Sequence, residues 1–281
     1  MALPADRLGT RYEQRTAVVD PDQARAYAAA TNDANPAYLS GHVAPPVFGV
    51  VPTWEATMTA LDDLVPAESM PMLLHAGQDM RFHRLIRPGM TLVTAAEPYN
   101  IRAARAGTWM TLRVVSDDDS GELVLEQFAT MFIRGFQSAE TGGHDRPDHS
   151  FPAAARDDRV AEVEAHIDAD QTFRYRDASG DDNQIHVDDE FARNVGLPGI
   201  IVHGLCTMAM CATAVVDSVA GGDPTRLKRL AVRFSRPVLP ASDLVTSIYR
   251  LGDDGDRQVY AFEAASGGER AIRDGRAEVT R

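Results

Sequence analysis

The sequence has little cysteine and almost no lysine: two cysteines and one lysine in 281 residues. Cys206 and Cys211 lie five residues apart, which provides no disulfide framework and matches no zinc-site spacing. Residues 1–12 contain no apolar segment of the kind that a secretory signal has. These absences predict a cytoplasmic protein without disulfides.

Positive charge is also scarce. Lysine and arginine number 28 against 41 aspartates and glutamates, so the net charge is 28 − 41 = −13. Such a chain lacks the positive field that holds a nucleic-acid backbone or an anionic membrane surface. The longest apolar stretch, 200–219, is interrupted by polar residues and favours a buried helix over a membrane span. We therefore predict neither a nucleic-acid partner nor a membrane partner.

The sequence contains an internal repeat. Residues 81–94 resemble 233–246, an offset of 233 − 81 = 152, and residues 31–38 resemble 179–186, an offset of 181 − 33 = 148 between the aspartates. Two similar offsets on independent stretches indicate two copies of one unit. We predict an N-terminal unit over 1–137, a linker over 138–158 that is rich in glycine, proline and charge, and a C-terminal unit over 159–281.

Each copy has the same predicted order of elements. A short strand and a short helix (21–31 and 170–178) precede a long apolar helix, over 49–61 in the first copy and 204–219 in the second. Alternating apolar residues then predict strands, which lie at 108–115 and 122–133 in the first copy and at 258–264 and 271–279 in the second. The fold class is therefore α+β, with an antiparallel sheet wrapped around one long helix, and we expect the two copies to pack side by side.

The most informative run is Gly180 to Asp188, in which Asp181 and His186 are five residues apart. On a regular helix these side chains would diverge, but a turn at Gly180 and Asn183 brings them together. A carboxylate and an imidazole that share a water molecule can move its protons near neutral pH. A solvated loop is the plain alternative for an Asp- and Asn-rich turn. A calcium loop does not fit the pattern, and no other histidine or cysteine lies at zinc-ligand spacing.

Three stretches around this run form a larger pattern: Ser-Gly-Asp-x-Asn-x-Ile-His-x-Asp over 179–188, Ile-Ile-Val-His-Gly-Leu-Cys-Thr over 200–207, and Arg-Phe-x-x-Pro-Val-x-Pro over 233–240. Together they resemble the MaoC-like, (R)-specific enoyl-CoA hydratases, and most of all the two-unit hydratase-2 type. The resemblance implies a double hotdog fold, in which each copy is a long helix wrapped by an antiparallel sheet.

The resemblance also implies a chemistry and its residues. Asp181 and His186 match the catalytic pair, Asn183 a supporting hydrogen-bonding residue, and Gly204 the helix start whose N–H stabilises the thioester oxygen. His203, directly before it, is assigned to substrate binding. The implied reaction is the reversible hydration of a trans-2-enoyl-CoA to the (R)-3-hydroxyacyl-CoA in fatty-acid metabolism, with no metal or redox cofactor. Two departures are Gln184, where the family usually has proline, and Ala241, where it usually has glycine.

The first copy keeps only part of this pattern. Asp33 and Asn35 persist, but Tyr38 stands where the second copy has its histidine, and Phe48 stands in place of His203. A tyrosine with a pKa near 10 is a poor proton carrier at neutral pH. We expect this copy to have lost catalysis and to serve as a packing partner and a pocket for the acyl chain.

Coenzyme A carries phosphates, so an acidic protein that binds it needs a local basic stretch. Residues 224–242 contain five basic residues and no acid. We predict phosphate contacts from Lys228, Arg233 and Arg236, against the alternative of an ordinary solvated strand face.

Other functions remain open on the sequence alone. One is a dehydratase acting on intermediates bound to an acyl carrier protein in fatty-acid or polyketide synthesis, which would use the same residues. Another is a non-catalytic hotdog protein that binds acyl thioesters, and the intact pair of Asp181 and His186 weighs against it. The fused copies are compatible with a monomer or with a homodimer.

Overall fold

A computed structural model describes residues 3–281 of the chain. The α-helices in this range are α1 (Pro21–Ala30), α2 (Pro36–Leu39), α3 (Trp54–Leu64), α4 (Gln171–Ser179), α5 (Asp189–Asn194) and α6 (Gly204–Val219). The strands are β1 (Arg15–Val18), β2 (Leu73–Phe82), β3 (Thr91–Ala104), β4 (Gly107–Asp118), β5 (Leu123–Arg134), β6 (Gly142–Gly143), β7 (Arg159–Ile167), β8 (Leu227–Phe234), β9 (Ser242–Asp254), β10 (Arg257–Ser266) and β11 (Glu269–Thr280). Short 3₁₀ turns occur at Ala5–Arg7, Pro46–Val50, Ala67–Met72, Ala153–Asp157, Gln184–His186 and Pro224–Arg226.

The first of two compact units comprises residues 3–18, 52–84 and 90–148. Its strands pair antiparallel in the order β1-β3-β4-β5-β2, and β6 also pairs with β3. Helix α3 packs against β3 and β4. The buried core between them includes Leu61, Leu64, Met110 and Leu112.

The second unit comprises residues 19–51, 85–89 and 149–281. Its strands pair antiparallel in the order β7-β9-β10-β11-β8. This is the order in which the corresponding strands pair in the first unit. Helix α6 packs against β7, β8, β9 and β11, and α1 packs against α4. The prediction of two similar α+β units, each with a long helix against an antiparallel sheet, is confirmed.

The long helix of the second copy has the predicted bounds, and its core-facing residues are nearly all apolar. The corresponding helix of the first copy, predicted over 49–61, instead begins at Trp54 and ends at Leu64. Residues 46–50 form a 3₁₀ turn, and Pro52 has no N–H to donate within a helix, so α3 starts only after it. All four predicted strand regions are strands, with ends that differ from the predicted ends by one to three residues. No helix within 3–281 is long and apolar enough to cross a membrane.

The boundaries predicted at 137 and 159 refer to the sequence repeat and stay a prediction. Contacts group the chain differently, because 19–51 and 85–89 pack with the C-terminal part. Within 138–158 the regular elements are β6 and the 3₁₀ turn Ala153–Asp157.

The two departures from the expected pattern lie in turns. Ala241, before β9, has φ of +54°, the left-handed region in which a Cβ costs roughly 1–2 kcal/mol. The turn persists despite that cost, and the Ser242 hydroxyl donates to the Leu239 carbonyl at 2.7 Å. Gln184 occupies the first position of the turn Gln184–His186, where a proline is easily accommodated but not required.

Candidate active site

The loop that carries Asp181 and His186 is shaped by two local turns. Gly180 ends α4 with φ of +80°, a conformation that favours glycine. Asp181 Oδ1 accepts the Asn183 N–H at 3.3 Å, and Asn183 Oδ1 accepts the Ile185 N–H at 3.2 Å, which begins the 3₁₀ turn that ends at His186. These two bonds make the segment from Asp181 to Ile185 turn back on itself. Such a turn is what the sequence analysis predicts if the side chains of Asp181 and His186 are to meet.

The structure brings Asp181, His186 and His203 together. One nitrogen or oxygen atom from each of the three side chains lies within 4.8 Å of those of the other two. The imidazoles of His186 and His203 are stacked, with ring centroids 3.8 Å apart and planes 27° apart. Both rings are buried, while Asp181 is half-buried. The site therefore contains a second imidazole beside the predicted pair.

Backbone carbonyls determine which nitrogen of each ring carries the proton. His186 Nδ1–H donates to the Ile201 carbonyl at 2.7 Å, and His203 Nε2–H donates to the Asp181 carbonyl at 3.0 Å. A carbonyl only accepts, so in each neutral ring the other nitrogen carries a lone pair. His186 Nε2 is thus unprotonated, and a nitrogen of this ring lies within 4.8 Å of an Asp181 carboxylate oxygen. This is the arrangement that a general base needs.

Burial keeps both imidazoles neutral. Desolvation lowers the pKa of His186 below its ordinary value, although the bond to Ile201 and the charge of Asp181 oppose this effect. Desolvation, followed by the proximity of His186, lowers the pKa of His203 to about 3. His203 therefore remains uncharged at neutral pH, and His186 is available to accept a proton.

A row of aromatic rings supports His203. The Tyr175 ring lies 4.7 Å from that of His203 between centroids, and the hydroxyls of Tyr175 and Tyr27 are 3.1 Å apart in a hydrogen bond. Tyr27 in turn contacts Phe48 edge-on at 5.5 Å. Sequence reasoning did not identify these tyrosines, although their offset of 175 − 27 = 148 equals that of the two aspartates. This shared offset is the feature of the sequence from which the tyrosine pair could have been predicted.

Helix α6 begins at the site. His203 is its N-cap residue, Gly204 is its first residue, and the first N–H groups of a helix have no partner within the helix. The Phe234 ring lies against Gly204: a Cβ there would be 3.2 Å from two of its carbons. The glycine therefore permits a close approach of β8 to the helix start. Its N–H and the positive end of the helix dipole favour an oxygen with developing negative charge.

The three predicted phosphate contacts have different surroundings. Lys228 Nζ donates to the Thr225 carbonyl at 2.9 Å. Arg233 pairs with Asp274 at 3.4 Å, and Arg236 pairs with Glu269 at 3.2 Å. The stretch 224–242 has no acid of its own, but β11 places acids beside it. The pairing of this stretch with β11 could not be predicted from the composition of 224–242 alone.

Arg236 lies in a segment that contacts the start of α6. Phe234 packs on Gly204, and the Val238 carbonyl accepts the Val202 N–H at 2.8 Å. Lys228 is six residues before Phe234 on an extended strand, or roughly 20 Å away. The structure thus spreads the predicted phosphate contacts along β8 and the segment that follows it, and their role stays a prediction.

The first-copy motif repeats the turn but not the acid–base pair. Asp33 Oδ1 accepts the Asn35 N–H at 3.0 Å, and Asn35 Oδ1 accepts the Ala37 N–H at 3.0 Å. The Thr213 hydroxyl donates to Asp33 Oδ2 at 2.8 Å, so both carboxylate oxygens are engaged. Asp33 and Tyr38 are buried, and desolvation raises the pKa of each. This environment supports the expectation that the first copy has lost catalysis.

The two cysteines lie on the buried face of α6. Desolvation raises the pKa of both Cys206 and Cys211 to about 12. They are protonated at neutral pH and pack as small apolar side chains, so neither is a nucleophile.

Comparison with known proteins identifies the family to which the chain belongs. The family model described as MaoC-like domain matches residues 150–267, and the model described as the FAS1-like dehydratase domain region matches residues 6–127. The chain is similar to the probable enoyl-CoA hydratase 2 of Dictyostelium discoideum, at 29% identity over 183 residues, 64% of this chain and 61% of the relative. The match thus spans about three fifths of that protein's length.

A second relative is 3-hydroxyacyl-thioester dehydratase Y of Mycobacterium tuberculosis, 33% identical over 198 residues, which are 69% of this chain and 66% of the relative. Among solved structures, the MaoC-like dehydratase from Phytophthora capsici superimposes with a TM-score of 0.87 over 99% of this chain and 98% of that chain, at 24% identity. The chain therefore belongs to the MaoC-like dehydratase family of the hydratase-2 group and has its double hotdog fold.

Proposed function

We propose that the chain catalyses the reversible addition of water to a trans-2-enoyl thioester, giving the (R)-3-hydroxyacyl thioester. The observation that carries this proposal is the cluster of the Asp181 carboxylate and the neutral His186 imidazole, whose Nε2 is unprotonated, near the N-terminus of a long helix. Family membership supports the reaction class, and the names of the two relatives support an acyl thioester as substrate.

Asp181 and His186 hold the water. The carboxylate accepts one of its hydrogen bonds and orients the oxygen toward C3 of the substrate. His186 Nε2 removes a proton as that oxygen bonds to C3, while the C2–C3 double-bond electrons move toward the thioester carbonyl. The resulting imidazolium returns the proton to C2, so one water is added in total. Asp181 stabilises the imidazolium while it exists.

Gly204 and Asn183 serve the same step in different ways. The Gly204 N–H donates to the thioester oxygen and stabilises it as its charge grows. Asn183 is a positioning residue, because its side chain starts the turn that ends at His186. His203 donates its Nε2–H to the Asp181 carbonyl. It is the proposed substrate-binding residue of this cluster. Lys228, Arg233 and Arg236 are the proposed contacts for the coenzyme A phosphates.

A hydration assay tests the proposed function. Wild-type protein with trans-2-butenoyl-CoA is expected to bleach the absorbance of the conjugated thioester and to yield the (R)-alcohol, identified by chiral chromatography. The same acyl group on an acyl carrier protein, supplied in parallel, distinguishes the two carriers by kcat/KM. Turnover of neither thioester, over acyl chains of four to sixteen carbons, would make the chain a non-catalytic binding protein. An (S)-product would contradict the proposed stereochemistry.

The pH dependence of hydration follows from His186. Its neutral form is the base, and burial lowers its pKa, so the base form persists below the ordinary histidine value of 6.5. We expect kcat/KM for hydration to stay level from pH 8 down to about 6.5 and to fall only in more acid buffer. Asp181→Asn removes the charge that raises the pKa of His186, so it moves the acid limb of the residual activity to still lower pH. An acid limb above pH 7 in the wild type would contradict this assignment.

A further inference from the structure

A row of four buried rings leads from the interior of the second unit to the proposed base. Tyr27 is 0% exposed, Tyr175 and His203 are each 1% exposed, and His186 is 7% exposed. Ring centroids are 5.3 Å apart between the two tyrosines, 4.7 Å between Tyr175 and His203, and 3.8 Å between the two histidines. The proposed reaction gives no step to either tyrosine.

Through His203 the row reaches both members of the acid–base pair. The His203 Nε2–H donates to the Asp181 carbonyl at 3.0 Å, and the His203 ring stacks on that of His186 with planes 27° apart. A displacement of His203 therefore displaces the residue that carries the carboxylate and the ring that carries the base. Acid–base groups act well only when their neighbours hold them within about 0.5 Å of the productive geometry.

The hydrogen bonding of His203 does not by itself keep the ring in place. Its Nδ1 is buried and has no hydrogen-bond partner among residues 3–281. A buried acceptor without a partner is costly, and the ring would escape that cost by turning Nδ1 toward water. Packing against the Tyr175 ring opposes this movement, because a contact between aromatic rings stabilises beyond the area that it buries.

Tyr175 is itself anchored. It lies on α4, which packs against α1, and its hydroxyl is hydrogen-bonded to that of Tyr27 on α1 at 3.1 Å. A buried phenol needs a polar partner, and each of these two tyrosines supplies it to the other. Desolvation raises the pKa of both hydroxyls, so both remain protonated and the bond between them persists across the working pH range.

We infer that Tyr175 is a positioning residue of this site: its ring holds His203 against His186, so that the base keeps one orientation and stays shielded from water. Tyr27 supports this arrangement through the hydroxyl pair. Tyr175 acts through His203 and is therefore not a catalytic residue. The consequence for the reaction rate rests on the proposed function, whereas the consequence for the titration of His186 does not.

Removing the Tyr175 ring changes the hydration of the base but no charge beside it. Desolvation is the largest cause of the lowered pKa of His186, so water that enters a loosened stack raises that pKa. Besides the two imidazoles, the titratable groups that act on this row are Asp181 from the loop, Arg176 from α4 and Cys206 from α6. None of these three is altered in the variants below, so a changed titration reports the position and hydration of His186.

The titration of His186 in the free protein tests the inference. The chain has eight histidines, and in protein labelled with ¹⁵N-histidine the His186→Gln variant identifies the NMR signals of His186. Tyr175→Leu removes the ring and stays apolar, so we expect the pKa of His186 to rise from its lowered value toward the ordinary 6.5. Tyr175→Phe keeps the ring and loses only the hydroxyl bond, so its shift should be smaller. If Tyr175→Leu does not fold, Tyr175→Met fills the space without a ring.

Tyr260→Leu is the matched control. Tyr260 is a buried tyrosine of the same unit, and its hydroxyl donates to Gln258 at 3.3 Å. The control removes a comparable buried ring, yet His186 should titrate in it as in the wild type. In the hydration assay, Tyr175→Leu should lower kcat by about 10- to 100-fold with little change in KM. The acid limb of kcat/KM should move to higher pH with the pKa of His186, because the neutral imidazole is the base.

A double-variant cycle tests whether Tyr175 acts through His203. His203→Leu should by itself raise the pKa of His186, because the stacked ring is gone. Adding Tyr175→Leu to His203→Leu should then raise it little further, since residues that act through one contact are not additive. Additive shifts overturn the inference, as does a folded Tyr175→Leu protein in which His186 titrates as in the wild type. An equal shift in Tyr260→Leu also overturns it.

The outcome for the proposed function is separate. An active hydratase whose His186 titrates alike in wild type and Tyr175→Leu overturns the role of Tyr175 alone. A wild type that hydrates no enoyl thioester, but whose His186 shifts as expected in Tyr175→Leu, overturns the proposed function alone.

Discussion

His186→Ala and Asp181→Ala are each expected to lower the rate of enoyl-thioester hydration by about 10²–10⁴-fold, the range typical of a lost general acid–base group. Alanine at 186 removes the Nε2 lone pair that takes the water proton. Alanine at 181 removes the carboxylate that orients the water and stabilises the imidazolium. The two losses should not add, because both residues act on one water molecule. The double variant is therefore expected to be little slower than either single variant.

Stability and activity must be separated in this experiment. His186→Ala leaves the Ile201 carbonyl without its donor and His203 without its stacking partner, which costs about 1–3 kcal/mol of unfolding free energy. His166→Ala serves as a matched control, since His166 is exposed and its side chain pairs with the exposed Asp243. Urea unfolding and circular dichroism establish that each variant is folded. Near wild-type turnover by a folded His186→Ala protein would refute the assignment of the base.

Much of this fold could be predicted from the sequence because the decisive signals are local or repeated. The bounds of α6 follow from a mostly apolar stretch that begins at a glycine, and the strands follow from alternation between glycine-containing turns. The strand order of each sheet is the same, as expected for two copies of one unit. The start of α3 was placed too early because an apolar 3₁₀ turn before Pro52 has the same composition as a helix.

The site could be predicted only in part, because only some of its contacts join residues that are close in sequence. The turn that joins Asp181 to His186 is contained in a few residues, so its composition reveals it. The stack of His203 on His186 depends on how the start of α6 packs against a loop 17 residues earlier, and no local pattern encodes that distance. Likewise, the acids that pair with Arg233 and Arg236 come from β11, which becomes a neighbour only when the sheet forms.

Gly204→Val is expected to lower kcat by about 10²–10³-fold, comparable to the loss of one oxyanion donor. A Cβ at this position would already lie 3.2 Å from two carbons of the Phe234 ring, so the branched side chain forces the helix start away from β8. The N–H then no longer points to the thioester oxygen. Because this bond strengthens as charge develops in the transition state, kcat should fall much more than KM rises.

Phe234→Leu makes the cause testable, since it creates room for a side chain at position 204 without touching the helix backbone. Gly204→Ala requires a shift of only a few tenths of an ångström, so it should lose less activity than Gly204→Val. Adding Phe234→Leu to Gly204→Ala should restore most of the activity that Gly204→Ala loses. Phe234→Leu alone is the matched control. Overpacking costs about 1–3 kcal/mol of unfolding free energy whether or not the N–H acts on substrate. Urea unfolding together with kcat therefore separates the two explanations: a Gly204→Val protein destabilised to this extent but unchanged in kcat would show that the helix start holds the fold and not the thioester oxygen.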